Sequence, residues 1–296
     1  MQGRVAGGVM LPQLRMDLPT IEARVRAAEE AGLHSAWFMD HLAAPAMPTA
    51  DAFEGWTLAS FLAARTEHIR LGHLVLCDAF RPPALLAKMA ATLDVLSGGR
   101  LELGLGWGSV PGELEAYGIG REPAAVRAAR LGETLRALRL LFTGEPVDLD
   151  GEHVTLHGAV ARPTPVQDPL PITLGGAGTR LTLPLVAAHA DWWNCPCYAA
   201  DRLAELRPLV GDRVRVSVQR PLGIAPSSAH RDEVEALAQR RLGSWGGLRT
   251  GTPDEIAGAL RADVAAGAEL VVAVFHDFGQ PDSLRLFADE VLPALA

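Results

Sequence analysis

Arg70–Gly108, RLGHLVLCDAFRPPALLAKMAATLDVLSGGRLELGLGWG, holds a complete folding unit. Arg70–Cys77 is rich in leucine and valine and reads as a strand. Pro83–Leu96 reads as a helix that Ser97-Gly98-Gly99-Arg100 ends, and Leu101–Leu105 is the next strand. Strand, amphipathic helix and strand, with glycine and aspartate at the joins, mark a parallel βα repeat.

The alternation continues in both directions. Upstream, Arg4–Leu11 is a first strand, and Pro19–Ala31 a helix with Ile21, Val25 and Ala28 on one face and Gly32 as its stop. Ala36–Met39 is a second strand and Trp56–Thr66 a helix. Downstream, Leu131, Leu135, Leu138 and Phe142 recur at helical spacing in Ala124–Phe142. Val147–Asp150 and His153–Leu156 flank Gly151-Glu152 as an inserted hairpin. Ile172–Gly175, Ala190–Trp193, Arg213–Gln219 and Glu269–Phe275 read as strands five to eight, the last preceded by a helix with Thr252, Pro253 and Glu255 in a capping box. Eight strands alternating with helices predict an α/β fold, a (β/α)8 TIM barrel forming one domain over residues 1–296. A doubly wound open sheet is the rival; it would need an unusually high strand count, and no dinucleotide fingerprint follows the first strand.

With 49% hydrophobic and 21% charged residues the chain is expected to build a large core. A net charge of −8, with Lys88 the single lysine, argues against a nucleic-acid partner. No apolar run reaches the roughly 20 residues of a membrane helix, and the N-terminus reads as a strand and not a signal peptide. A cytoplasmic protein is the expectation. Three cysteines, with Cys195 and Cys197 separated only by Pro196, provide neither a disulfide framework nor zinc-ligand spacing, so no metal is expected.

Barrel enzymes collect their chemistry at the C-terminal strand ends. Strand two ends in Asp40-His41, the one strong acid–base pair there: a catalytic mouth, or an ordinary turn in which Asp40 caps and His41 bonds across the barrel. His41 is the candidate acid/base, since imidazole ordinarily titrates near neutral pH, with Asp40 to orient it. Gly104, Gly106, Gly108, Gly175, Gly176 and Gly178 allow either close approach of a flat or phosphate-bearing ligand, or tight strand-to-helix packing. The run Gly175-Gly176-Ala177-Gly178-Thr179 leads into a helix start suited to an anion. Trp107, Phe80 and Trp193 suggest an apolar or aromatic substrate space.

Leu71–Gly108 closely resembles the bacterial-luciferase-like superfamily of flavin and deazaflavin oxidoreductases, as do WFMDHL, ELEAYGI, ARPTPVQDPLPITLGGAG and HADWWN, in the right order along nearly the whole chain. The resemblance implies a barrel with insertions that binds coenzyme F420 (a 5-deazaflavin) or FMN at its C-terminal mouth. It implies a non-proline cis peptide near Leu74-Val75 bulging toward the cofactor ring, with Cys77 following. Gly106, Trp107, Gly108 and Ser109 would lie beside the ring, and Gly175–Thr179 would take the phosphate. The Asp-His pair is common in the deazaflavin branch, which puts F420 first and FMN second. Hydride transfer to or from a small organic substrate is the leading expectation. The alternatives are an FMN-dependent monooxygenase served by a separate flavin reductase, and a non-catalytic flavin-binding barrel. The resemblance further implies a homodimer. Two departures count against a sugar phosphate: Ser109 stands where the sugar-phosphate dehydrogenases carry a glutamate, and Ala43-Ala44-Pro45 where they carry a tryptophan.

Overall fold

The computed structural model describes residues 5–45, 47 and 49–295, so Arg4, the expected start of the first strand, lies outside the described residues. Twelve strands occur along them: β1 Ala6–Met10, β2 Ser35–Phe38, β3 Arg70–His73, β4 Leu76–Cys77, β5 Leu101–Gly106, β6 Val147–Asp150, β7 Thr155–Ala159, β8 Ile172–Gly175, β9 Trp192–Cys195, β10 Arg215–Ile224, β11 Arg249–Gly251 and β12 Ala268–Phe275. Neighbours run β1-β2-β3-β5-β8-β9-β10-β12, and β12 pairs back onto β1. The result is a closed parallel barrel of 8 strands with helices between them, the (β/α)8 fold.

The sequence accounts for the joins. Asp17 accepts a hydrogen bond from the Thr20 amide at 2.9 Å and caps the helix Leu18–Glu30. Ile21, Val25 and Ala28 are the buried face of that helix, and Gly32 turns out of it at φ 72°. The capping box of Thr252 and Glu255 is present at the helix Pro253–Ala265.

Four features depart from the sequence expectation. The strand expected over Arg70–Cys77 is two pieces, β3 and β4, separated by a cis Leu74–Val75 peptide at the position the resemblance implies. A short helix, Pro111–Ala116, follows β5 where none was expected. The second arm of the hairpin starts at Thr155, because the Glu133 carboxylate takes the amides of Glu152, His153 and Val154 and holds them as a loop. Finally β11 adds to the end of β10, pairing Arg249–Gly251 with Leu222–Ile224. Among the described residues no helix is long and apolar enough to cross a membrane.

Candidate active site

The ends of β2, β4, β5, β8, β9 and β10 surround a cavity of about 670 Å³. Gln13 fixes the end of β2 by gripping the backbone of Met39, donating to its carbonyl at 2.5 Å and accepting from its amide at 3.0 Å. Asp40 and His41 come next, and adjacent residues of an extended segment point apart.

Asp40 turns toward β4. Its carboxylate accepts two hydrogen bonds from the Arg81 guanidinium, both 2.8 Å, and one from the Cys77 amide at 2.7 Å. Arg81 also donates to Glu54 at 2.6 Å. With its side chain 2% exposed, Asp40 is a buried tie between two loops. The expectation that it orients His41 is therefore corrected: its oxygens are already committed.

His41 is held instead by Glu113, on the helix Pro111–Ala116. Nδ1 lies 2.9 Å from one carboxylate oxygen, while the other accepts from the amides of Leu42 at 2.7 Å and Ala43 at 3.3 Å. Tyr117 donates to the Leu42 carbonyl at 3.0 Å from just beyond the same helix. Glu113 stands four residues after Ser109, in the first turn of a helix that Pro111 starts. A proline followed two residues later by a glutamate, just after a strand end, was the available signal. Because Nδ1 is engaged, Nε2 is the nitrogen left for a ligand.

The glycines show why this mouth has its shape. A Cβ on Gly106 would come within 2.7 Å of one Val75 methyl, and a Cβ on Gly175 within 2.7 Å of the other. The place of a Gly104 Cβ is filled by the His73 carbonyl. Here the tight-packing reading of the glycines applies: these three seat the Leu74–Val75 bulge of the chain itself and lift it into the cavity as a wall. Gly176, at φ 126°, and Gly178 pack instead against Thr182, the first residue of the helix Thr182–His189. Trp107 closes that side by donating its indole N–H to Thr182 Oγ1 at 3.1 Å, with the Arg127 guanidinium 5.2 Å from its ring.

Of the residues expected at the site, Asp40, His41, Leu74, Val75, Cys77, Gly106, Trp107, Gly108, Ser109, Gly175, Gly176, Ala177 and Gly178 line this one cavity. Thr179, Phe80 and Trp193 do not. Trp193 is fully buried, its indole N–H donating to the Gly176 carbonyl at 2.8 Å. It faces away from the cavity because strand residues alternate, and its neighbour Asn194 takes the inward place. Phe80 sits in the turn Asp78–Phe80, beyond the lining. Sequence reasoning missed Met10, Met39, Glu113, Thr182, Tyr198, Arg202, Gln219 and Trp245. Met10 ends β1, Met39 directly follows β2 and Gln219 lies midway along β10, so their positions were readable had each strand been scored for its inward residues. Burial pushes the Cys77 thiol up to about 11, which keeps it a neutral thiol at the cavity wall. Among the described residues no group of three or more His, Cys, Asp and Glu is placed to hold a metal ion.

Known proteins agree with this architecture. Residues 1–242 match the family described as luciferase-like monooxygenase. An F420-dependent glucose-6-phosphate dehydrogenase of Kineococcus radiotolerans is 35% identical over 156 residues, covering 52% of this chain and 46% of the relative. The chain thus spans about half the length of that relative. In structure the chain is similar to an F420-dependent secondary alcohol dehydrogenase in complex with an F420-acetone adduct (TM-score 0.83, 19% identity, 99% of this chain and 100% of the other). It is also similar to the EDTA monooxygenase of Chelativorans sp. BNC1 (TM-score 0.82, 17% identity, 99% and 93%). At these identities the two structures show the shared fold.

Proposed function

The chain belongs to the luciferase-like monooxygenase family, and on that premise we propose that it is an oxidoreductase transferring a hydride between coenzyme F420 and a small organic substrate. The observation that carries the reading is the His41–Glu113 pair at the mouth of the cavity. Hydride transfer to or from an alcohol or carbonyl needs a proton moved at the same time, and a histidine with one nitrogen anchored and the other free is built for that. The F420-dependent relative at 35% identity favours the deazaflavin over FMN.

The chain fits such a cofactor. The Val75 bulge presents a wall for a flat ring, and Trp107 and Cys77 stand beside it. Gly176–Thr182 leads into a helix start, where backbone N–H groups favour a phosphate. The bound deazaflavin would supply the two-electron hydride acceptor or donor. In the oxidising direction His41 Nε2 takes the substrate hydroxyl proton while Glu113 holds Nδ1–H and stabilises the imidazolium; in the reducing direction it returns that proton. Asp40 does not touch the reacting atoms: with Arg81 it fixes the Cys77 loop, so that the Leu74–Val75 wall stays in place.

Fluorescence titration of the apo-protein with F420 and with FMN tests the reading. Tighter binding of F420 is expected. Tight FMN binding with none for F420 would instead favour a monooxygenase, and binding of neither a barrel without turnover.

A further inference from the structure

The cavity has two unlike halves. The arc from β3 to β8 carries the residues assigned above to the cofactor, whereas β9, β10 and β1 present side chains that this assignment leaves unused. Asn194 on β9 pairs in register with Ser217 on β10, and Gln219 lies two residues further, so all three share the inward face. Asn194 is 2% exposed and Gln219 7%, and both line the cavity.

Neither carboxamide is saturated. Asn194 donates to Ser217 Oγ at 3.0 Å, and its own carbonyl oxygen accepts from no described residue. The Gln219 amide nitrogen meets only the Met10 sulfur, a weak acceptor. Its carbonyl accepts from the Cys197 amide at 3.5 Å, the long limit of a hydrogen bond. Both amides open on the cavity with pairing capacity to spare, so a ligand with its own donor and acceptor can bond to them.

The charges around the cavity point the same way. Arg202, the one arginine or lysine among the lining residues, donates twice to Glu205, at 2.9 and 2.6 Å. Asp40 is neutralised by Arg81, and Glu113 faces the mouth. Among the described lining residues an anionic substrate would find one arginine, Arg202, already paired with Glu205 at an exposed position, against the carboxylates of Asp40 and Glu113.

We propose that the β9–β10–β1 wall is the substrate subsite. It takes an uncharged molecule with an apolar body and a polar end offering a carbonyl beside an N–H or O–H, of which a carboxamide or lactam is the simplest case. This rests on the reading of the β3–β8 arc as the cofactor half. Met10, Met39, Tyr198 and Trp245 would contact the apolar body, and Asn194 and Gln219 the polar end.

The test is calorimetric titration of the wild-type protein, with and without bound cofactor, using 1-naphthamide and 1-naphthoate, probes alike in body and different in charge. The amide is expected to bind at least about tenfold more tightly, the worth of one good hydrogen bond. Gln219→Met and Asn194→Leu should each weaken the amide by about tenfold, with cofactor affinity by fluorescence unchanged. Equal or tighter binding of the naphthoate to wild type, or no binding of either probe, overturns the proposal without recourse to a variant. Loss of cofactor affinity in the variants assigns the wall to the cofactor and also overturns it, leaving the proposed function intact. Amide selectivity in a wild type that binds no cofactor would do the reverse.

Discussion

Replacing Glu113 by glutamine should flip the tautomer of His41. In the wild type the carboxylate is an acceptor only, so Nδ1 carries the proton and Nε2 is free to act as a base. A glutamine that keeps its carbonyl on the Leu42 and Ala43 amides must turn its NH₂ toward Nδ1. Nδ1 then becomes the acceptor, and Nε2 holds the proton of the neutral ring. The same acid-to-amide change beneath the histidine of a serine-protease triad costs about 10⁴ in rate. The His41 side chain is 26% exposed, so solvent offsets part of the effect, and a loss of about 10²–10³ in kcat, or about 2.7–4 kcal/mol, is expected. Three hydrogen bonds to a carboxylate become bonds to a neutral amide. At about 1.5–3 against about 1 kcal/mol each, and with the 3.3 Å bond weak, the two short bonds put the stability cost at about 1–4 kcal/mol. Nitrogen-15 NMR of the labelled imidazole reads the tautomer directly and requires no substrate. The Nδ1–H form in wild type and the Nε2–H form in Glu113→Gln are expected. The same tautomer in both proteins would refute the reasoning.

His41→Ala should lower kcat by about 10²–10⁴ at saturating substrate, and an unchanged rate in a turnover assay would remove it from the chemistry. Arg81→Met strands the buried Asp40 carboxylate and should destabilise the protein by about 3–5 kcal/mol in chemical denaturation. Gly106→Ala places a methyl against Val75 and should cost about 1–3 kcal/mol. Val75→Ala in the same chain should restore most of that loss, as a double-mutant cycle would show. His73 is fully buried, stacked on Trp56 with ring centroids 5.6 Å apart, and neither ring nitrogen has a partner. Burial lowers its pKa below 6.5, so the unfolded chain takes up the proton first and stability falls as pH drops through that value. His73→Phe should flatten the fall in unfolding free energy below pH 6.5, read by chemical denaturation across pH, by up to about 1.4 kcal/mol per pH unit. An unaltered pH profile would count against the assignment.

The barrel was legible because each strand and helix carries its own period, and because glycine, proline and aspartate mark the joins. Ile21, Val25 and Ala28 form the face that spacing assigned to them. The candidate site was legible in its backbone more than in its side chains. Glycines at strand ends announce a close approach, but not whether a ligand or Val75 makes it. Trp193 was misplaced because a strand face is settled by a one-residue register, and Asn194 occupies the inward position. The role expected of Asp40 falls to Glu113 for a similar reason. Which acid reaches His41 depends on how a helix 72 residues further along the chain folds back, a separation outside any local pattern.

A crystal structure of the protein with F420 bound tests the central claim most directly. The account predicts the deazaflavin ring against the Leu74–Val75 wall, its phosphate at Gly176–Thr182, His41 Nε2 open to the space beside the ring, and the Asn194 and Gln219 carboxamides free. A ring seated on the β9–β10 wall, or a cavity that stays empty at saturating F420, would contradict it.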